Sequence, residues 1–158
     1  MEKSANKKYP VMLKELARRT NATSLQTESI NTEQTNWSKL YDTKGNEQPR
    51  NNITYKWASG ALLGSAIDLA KVGSSLLDTN FVSEETINLF TTPVKLNNGE
   101  VVKGKRYTMG LGFRMSKDHQ GRAYFHHSGV ITGGRSHISV YPEEKLVVAF
   151  LSNARWTV

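Results

Sequence analysis

The sequence predicts an α+β fold: an antiparallel β-sheet meander with helices packed on it. Three observations predict it. Apolar residues in the first half recur at helical spacing behind helix-starting residues. After Tyr107 the period changes to 2. The run at residues 145–151 is almost wholly apolar, as expected of a strand covered on both faces. Helices come before the strands instead of alternating with them, which separates this layout from a parallel α/β sheet.

The elements follow in order. Pro10 suits a first helical turn, and Val11, Met12, Leu13 and Leu16 oppose Lys14, Glu15, Arg18 and Arg19, so residues 9–19 read as an amphipathic helix. Residues 20–52 are rich in Asn, Thr, Ser, Gln and Glu, anchored only by Trp37, Leu40 and Tyr41, with turn signals at Gly45 and Pro49. They read as a long loop. Ser65 with Asp68 three residues on forms an N-capping pattern, and Ile67, Leu69, Ala70, Val72, Leu76 and Leu77 supply an apolar face for a helix over 65–78. Ser83 before Glu84 and Glu85 starts a shorter helix that runs through Phe90 and is stopped near Pro93. Asn97-Asn98-Gly99 is a turn.

Alternation then places Tyr107, Met109, Leu111, Phe113 and Met115 on one face of a strand, with Gly110 and Gly112 on the other allowing close approach. Residues 117–121 turn, 122–128 return as a strand, and 135–141 form the next. Pro142-Glu143-Glu144 turns the chain into the final apolar strand.

A length of 158 residues suits one domain, read in two parts: a helix and long polar loop over 1–56, and the sheet-bearing part over 57–158. The absence of Cys excludes a disulfide scaffold, a Cys-based zinc finger, an iron–sulfur site and a thiol nucleophile. The net charge of +7 is spread evenly, +4 over residues 1–56 and +3 over the rest, with Lys3, Lys7, Lys8 and Lys14 as its densest cluster. No aromatic stacking platform is interleaved with these residues, so no nucleic-acid partner is expected. The longest apolar stretch, 61–70, is broken by Ser65 and Asp68 and is too short to span a bilayer.

Two features bear on chemistry. His126 and His127 are adjacent on a strand, so their side chains diverge and do not share an ion; no metal or cofactor is expected. His127-Ser128-Gly129-Val130-Ile131-Thr132-Gly133-Gly134 runs a polar strand end into glycine-rich backbone, where a substrate can approach main-chain N–H groups closely. Composition alone favours an ordinary turn between two strands with an incidental His.

Four segments in order add a second line of argument: Trp57-Ala58-Ser59-Gly60 through Leu69-Ala70, Tyr107-Thr108-Met109-Gly110-Leu111-Gly112-Phe113, His126-His127-Ser128-Gly129, and Tyr141-Pro142-Glu143-Glu144 through Ser152-Asn153. Together they resemble the C-terminal part of the serine β-lactamase-like family, in its branch of class C β-lactamases, penicillin-binding proteins and esterases. The resemblance implies a β-lactamase/transpeptidase-like fold and acyl transfer on ester, peptide or β-lactam substrates. In that family a Ser-x-x-Lys supplies nucleophile and base, a Tyr-x-Asn transfers protons, and a Lys-Thr-Gly or His-x-Gly edges the site. His127-Ser128-Gly129 matches the third motif. The resemblance gives His127 and Ser128 hydrogen bonds to substrate or to the proton-transfer network, gives Gly129 the role of clearance, and makes the Val130 backbone N–H an oxyanion donor. Histidine, ordinarily near pKa 6.5, is mostly neutral at pH 7 where lysine is charged, which favours ester or peptide substrates over efficient penicillin hydrolysis.

The departures are equally specific. No Tyr-x-Asn occurs, and the Ser-x-x-Lys formed by Ser4 and Lys7 lies at the extreme terminus. The family's helix after the last strand is also missing. The chain therefore reads as a C-terminal portion, inactive alone on β-lactams and esters, whose exposed sheet surface favours self-association. Any export signal would lie upstream. The alternative is a non-catalytic binding or scaffolding module derived from the same fold.

Overall fold

The computed structural model describes residues 1–28 and 37–154. Helix α2 (Tyr9–Arg19) forms where the amphipathic pattern places it, with Pro10 in its first turn, Leu13 buried, and Arg18 and Arg19 at its negative C-terminal end. A four-residue helix, α1 (Glu2–Ala5), precedes it and closes at Asn6 in the left-handed conformation. It is too short to leave a periodic signal in the sequence.

The segment expected to be a long loop carries three short strands, one of them paired with a strand beyond it. Strand β1 (Gln26–Thr27) pairs with β4 (Leu62–Leu63), and β2 (Leu40–Tyr41) with β3 (Glu47–Gln48). Two-residue strands are too brief to show alternation, so their composition registers only as loop. A 3₁₀ helix (Thr54–Ser59) follows, and the Trp57 indole N–H donates to the Glu28 carbonyl at 2.9 Å.

Helix α3 (Ala66–Ser75) starts as its pattern implies, the Ser65 hydroxyl accepting the Asp68 N–H at 3.1 Å. It ends three residues before the expected boundary, its last turn tightening as Leu76 and Leu77 donate to Gly73 and Ser74. Helix α4 (Glu84–Thr91) is capped by Ser83, which accepts the Thr86 N–H at 3.2 Å.

Five strands form the main sheet, each antiparallel to the next: β5 (Thr108–Met109), β6 (Arg114–Lys117), β7 (Ala123–Ile131), β8 (Gly134–Tyr141) and β9 (Leu146–Ser152). One expectation fails here. Residues 107–115 are two strands folded back on each other, with Thr108 opposite Met115 and Met109 opposite Arg114. The cause is the glycines: Gly112 adopts φ +89°, which side-chain-bearing residues avoid, and a Cβ at Gly110 would run into the Phe90 carbonyl oxygen. Strand β7 also runs three residues past its expected end before the two-residue turn Thr132-Gly133.

The helices cover one face of this sheet. Gly73 of α3 sits so close to β8 and β9 that a Cβ there would lie 2.6 Å from Ile138 Cδ1 and 2.7 Å from Val147 Cγ1. Phe90 of α4 meets Phe113, which meets buried Phe125, with ring centroids 6.3 Å and 4.9 Å apart. Phe125 pairs with Val140, which is fully buried on that same face. Strand β9 was expected to be covered on both faces. Instead Leu146, Val148 and Phe150, which alternate onto the other face, are 44%, 47% and 38% exposed. The apolar run reports what the strand can bury, and on this side its side chains stay partly exposed.

Candidate active site

Strand β7 positions every residue of the His127-Ser128-Gly129-Val130 segment. Its first half pairs with β6, the register ending at Arg114 opposite His126. Its second half pairs only with β8 among the described strands, so residues 127–131 leave their other edge open. The two-residue turn closes on Ile131 opposite Gly134, which makes that pair a hydrogen-bonded one. Alternation along an antiparallel ladder then turns the backbone groups of Gly129 and His127 toward β8, and those of Val130 and Ser128 toward the open edge.

Side chains alternate about the same strand. His127 is exposed on the helix-covered face, opposite Ile138, while Ser128 stands on the uncovered face, opposite His137. The two flank the open edge from its two sides. Gly129 faces Ser136, and a Cβ at 129 would collide with the Ser136 hydroxyl. A larger residue at 129 would oblige the Ser136 hydroxyl to turn away. Ser4 lies in α1, exposed, and the Lys7 ammonium is engaged by Glu15 of α2 at 2.8 Å.

The uncovered face carries a network that the motif reading missed. Ser128 Oγ shares a hydrogen bond with His137 Nδ1 at 2.8 Å, and His137 Nε2 shares one with the buried Ser139 Oγ at 2.7 Å. The Phe150 ring stacks on His137 at 5.5 Å, and the His126 ring lies 5.5 Å from it on the other side. His126 donates from Nε2 to Ser116 Oγ at 3.1 Å, because the Ser116 proton goes to the Arg106 carbonyl at 2.9 Å. Its Nδ1 and the Nε of neighbouring Arg114 are buried without a hydrogen-bond partner among the described residues. A sequence signal for the Ser128–His137 pairing did exist: reading Thr132-Gly133 as a two-residue hairpin turn places the two residues directly opposite each other.

The electrostatics of this face keep both imidazoles neutral. Burial pushes His126 down to about 4, with His137, Arg114 and His127 adding to the effect. Burial also lowers His137, reinforced by Arg114 and His127. His126 and His127 point to opposite faces, and among the described residues no three His, Asp or Glu side chains gather as a metal site would require. No helix among those residues is long and apolar enough to cross a membrane.

Comparison with known proteins accounts for the architecture. The chain superposes on a D-stereospecific amidohydrolase from a Streptomyces species with a TM-score of 0.79 at 19% identity, covering 98% of this chain and 46% of that one. It matches an octameric penicillin-binding protein homologue from Pyrococcus abyssi with a TM-score of 0.75 at 25% identity, covering 97% and 35%. A β-lactamase/D-alanine carboxypeptidase from Pseudomonas syringae gives 0.75 at 13% identity, covering 98% and 51%. The chain thus spans about half or less of the length of these structures, and its mixed helix and antiparallel sheet arrangement is that of the β-lactamase/transpeptidase fold. Among curated proteins, none matches the chain by sequence. The profile described as Beta-lactamase matches residues 2–156, nearly the full length, and with the fold in agreement the chain belongs to the β-lactamase family.

Proposed function

We propose that this chain is the C-terminal portion of a β-lactamase-like serine hydrolase, with the open edge of β7 as one wall of its acyl-transfer site. The observation that carries this reading is the outward-facing Val130 N–H, directly after side-chain-free Gly129, at an edge with no strand partner among the described residues. A substrate laid along that edge would place its carbonyl oxygen on the Val130 N–H, where negative charge develops during acyl transfer. His127 would contact it from the helix-covered side and Ser128 from the other. The family membership supports this role, as do the names of the neighbours, an amidohydrolase and a β-lactamase/D-alanine carboxypeptidase. Ester, peptide and β-lactam substrates all fit an edge that reads only a carbonyl.

The nucleophile and its base are proposed to lie outside this chain, since Tyr-x-Asn is absent and Lys7 is occupied by Glu15. The purified chain is expected to turn over no nitrocefin; turnover that disappears in Ser4→Ala would overturn the assignment. The coding sequence upstream of Met1 supplies the second test. An in-frame Ser-x-x-Lys and Tyr-x-Asn there supports a hydrolase, and their absence supports a binding module instead. In the longer product Val130→Pro removes the outward N–H, a change an open edge tolerates, and should lower kcat about a hundredfold.

A further inference from the structure

We propose that Ser128 and His137 form a nucleophile–base pair that takes an acyl group from small activated esters, a reactivity separate from the wall role of the β7 edge. The pair has the geometry this chemistry needs. A hydroxyl lies 2.8 Å from an imidazole nitrogen, and the other ring nitrogen is held 2.7 Å from a third group, buried Ser139. The base role takes the tautomer in which Nε2–H donates to Ser139, so that Nδ1 offers its lone pair to the Ser128 O–H. The groups facing His137 come from each neighbouring strand: Ser128 and His126 from β7, Ser139 on β8 itself and Phe150 from β9, with the Arg114 cation of β6 acting across the same face. Val130, 58% exposed, and Phe150, 38% exposed, lie on this face and give a short apolar acyl group a surface to rest on.

The step balances without a co-reactant. Ser128 Oγ bonds to the ester carbonyl carbon as its proton passes to His137 Nδ1. The carbon–oxygen bond to the leaving group then breaks, and the proton leaves with the alkoxide or phenolate. Deacylation reverses the roles: water attacks, His137 takes its proton, and Oγ recovers one. Ser139 carries no charge to stabilise the imidazolium, and Arg114 opposes it, so both steps are slow; a nitrophenolate leaves more readily than the Ser128 alkoxide, so acylation is the faster of the two and appears as a burst. The sequence-based expectation of inactivity toward esters counted only the Ser-x-x-Lys hydroxyl as a nucleophile.

The test uses the purified full chain with p-nitrophenyl acetate. A nitrophenolate burst approaching one per chain is expected, with fragmentation of the labelled peptide placing the acetyl group on Ser128 and not on Tyr124, His126 or His127. Ser128→Ala should abolish the burst, and His137→Asn should slow it at least tenfold. Because burial holds His137 below its ordinary range, the wild-type burst rate should reach its half-maximum at a lower pH than an ordinary imidazole would give. Label on any other residue, a burst unchanged in Ser128→Ala, or no burst at all would overturn the proposal. The site mapping is read on the wild-type chain, so it stands even if a variant misfolds. The nitrocefin assay is unaffected by any of these outcomes, which keeps the two readings distinguishable.

Discussion

The carboxylate of Asp68 accepts both the backbone N–H of Ser24, at 2.7 Å, and the Ser24 hydroxyl, joining residues 44 positions apart. Asp68 is 3% exposed, and its second oxygen meets the Lys71 ammonium at 3.3 Å. The same Ser24 hydroxyl accepts the Ser65 N–H at 2.9 Å, so the start of α3 and the loop after α2 are clasped together. The hydrogen bonds from Ser24, then the ammonium, hold the Asp68 carboxyl below the usual carboxylate range.

Replacing this carboxylate by its amide tests the clasp. Asp68→Asn keeps the shape but places an N–H₂ or a weaker acceptor against two donors, and the buried mismatch should cost about 1–3 kcal/mol. Urea unfolding should show the midpoint falling at unchanged slope. The carboxylate's contribution is present above its unfolded pKa and is lost as pH falls through the lower folded one, so the difference between the two proteins should narrow below about pH 4.

Gly73 should be intolerant of larger residues. Gly73→Ala gains up to about 1 kcal/mol of helix propensity yet drives a methyl against Ile138 and Val147, a clash of the kind that costs about 1–3 kcal/mol. A net loss of up to about 2 kcal/mol is expected, and a larger one for Gly73→Val. Thermal melts followed by circular dichroism would show it, and a raised Tm in Gly73→Ala would mean that α3 can shift off the sheet.

The uncovered face makes self-association the expected behaviour of the chain in solution. Leu146, Val148 and Phe150 expose apolar surface on an edge strand, which is the usual template for pairing with another copy. Sedimentation velocity should show a concentration-dependent shift to larger species, reduced by Val148→Lys. A wild-type chain that stays monomeric at high concentration would refute this.

The two neutral histidines should make the fold acid-sensitive above the carboxylate range. An unfolded His takes up a proton near pH 6.5, whereas folded His126 resists until about 4, so the unfolded chain binds more protons in between. Stability should therefore fall as pH falls from 6.5 to 4 and flatten below that on this account. The loss from His126 is about 1–2 kcal/mol once solvent screening is allowed for. Urea midpoints across that range would show the slope, and His126→Gln should remove most of it.

The sequence by itself determined the strands and helices with strong local signatures. Pro10 and an apolar stripe specify α2, Ser65 and Ser83 cap α3 and α4, and alternation with turn residues marks β7, β8 and β9. It also determined the family, because four motif segments in order are a long-range pattern that survives without coordinates. Tertiary structure decided what local signals do not encode. Whether residues 107–115 run straight or fold back depended on the Phe90 carbonyl pressing on Gly110, a contact from a different element. The Ser24 clasp on Asp68 depended on bringing a polar loop against a helix start, and polar loops carry no period. Coverage of β9 depended on which elements lie over each face, a property of their arrangement that the strand's own composition does not contain. The pairing of Ser128 with His137 arose from strand register, set by a two-residue turn, and register decides which side chains meet because a slip of one residue sends every side chain to the opposite face.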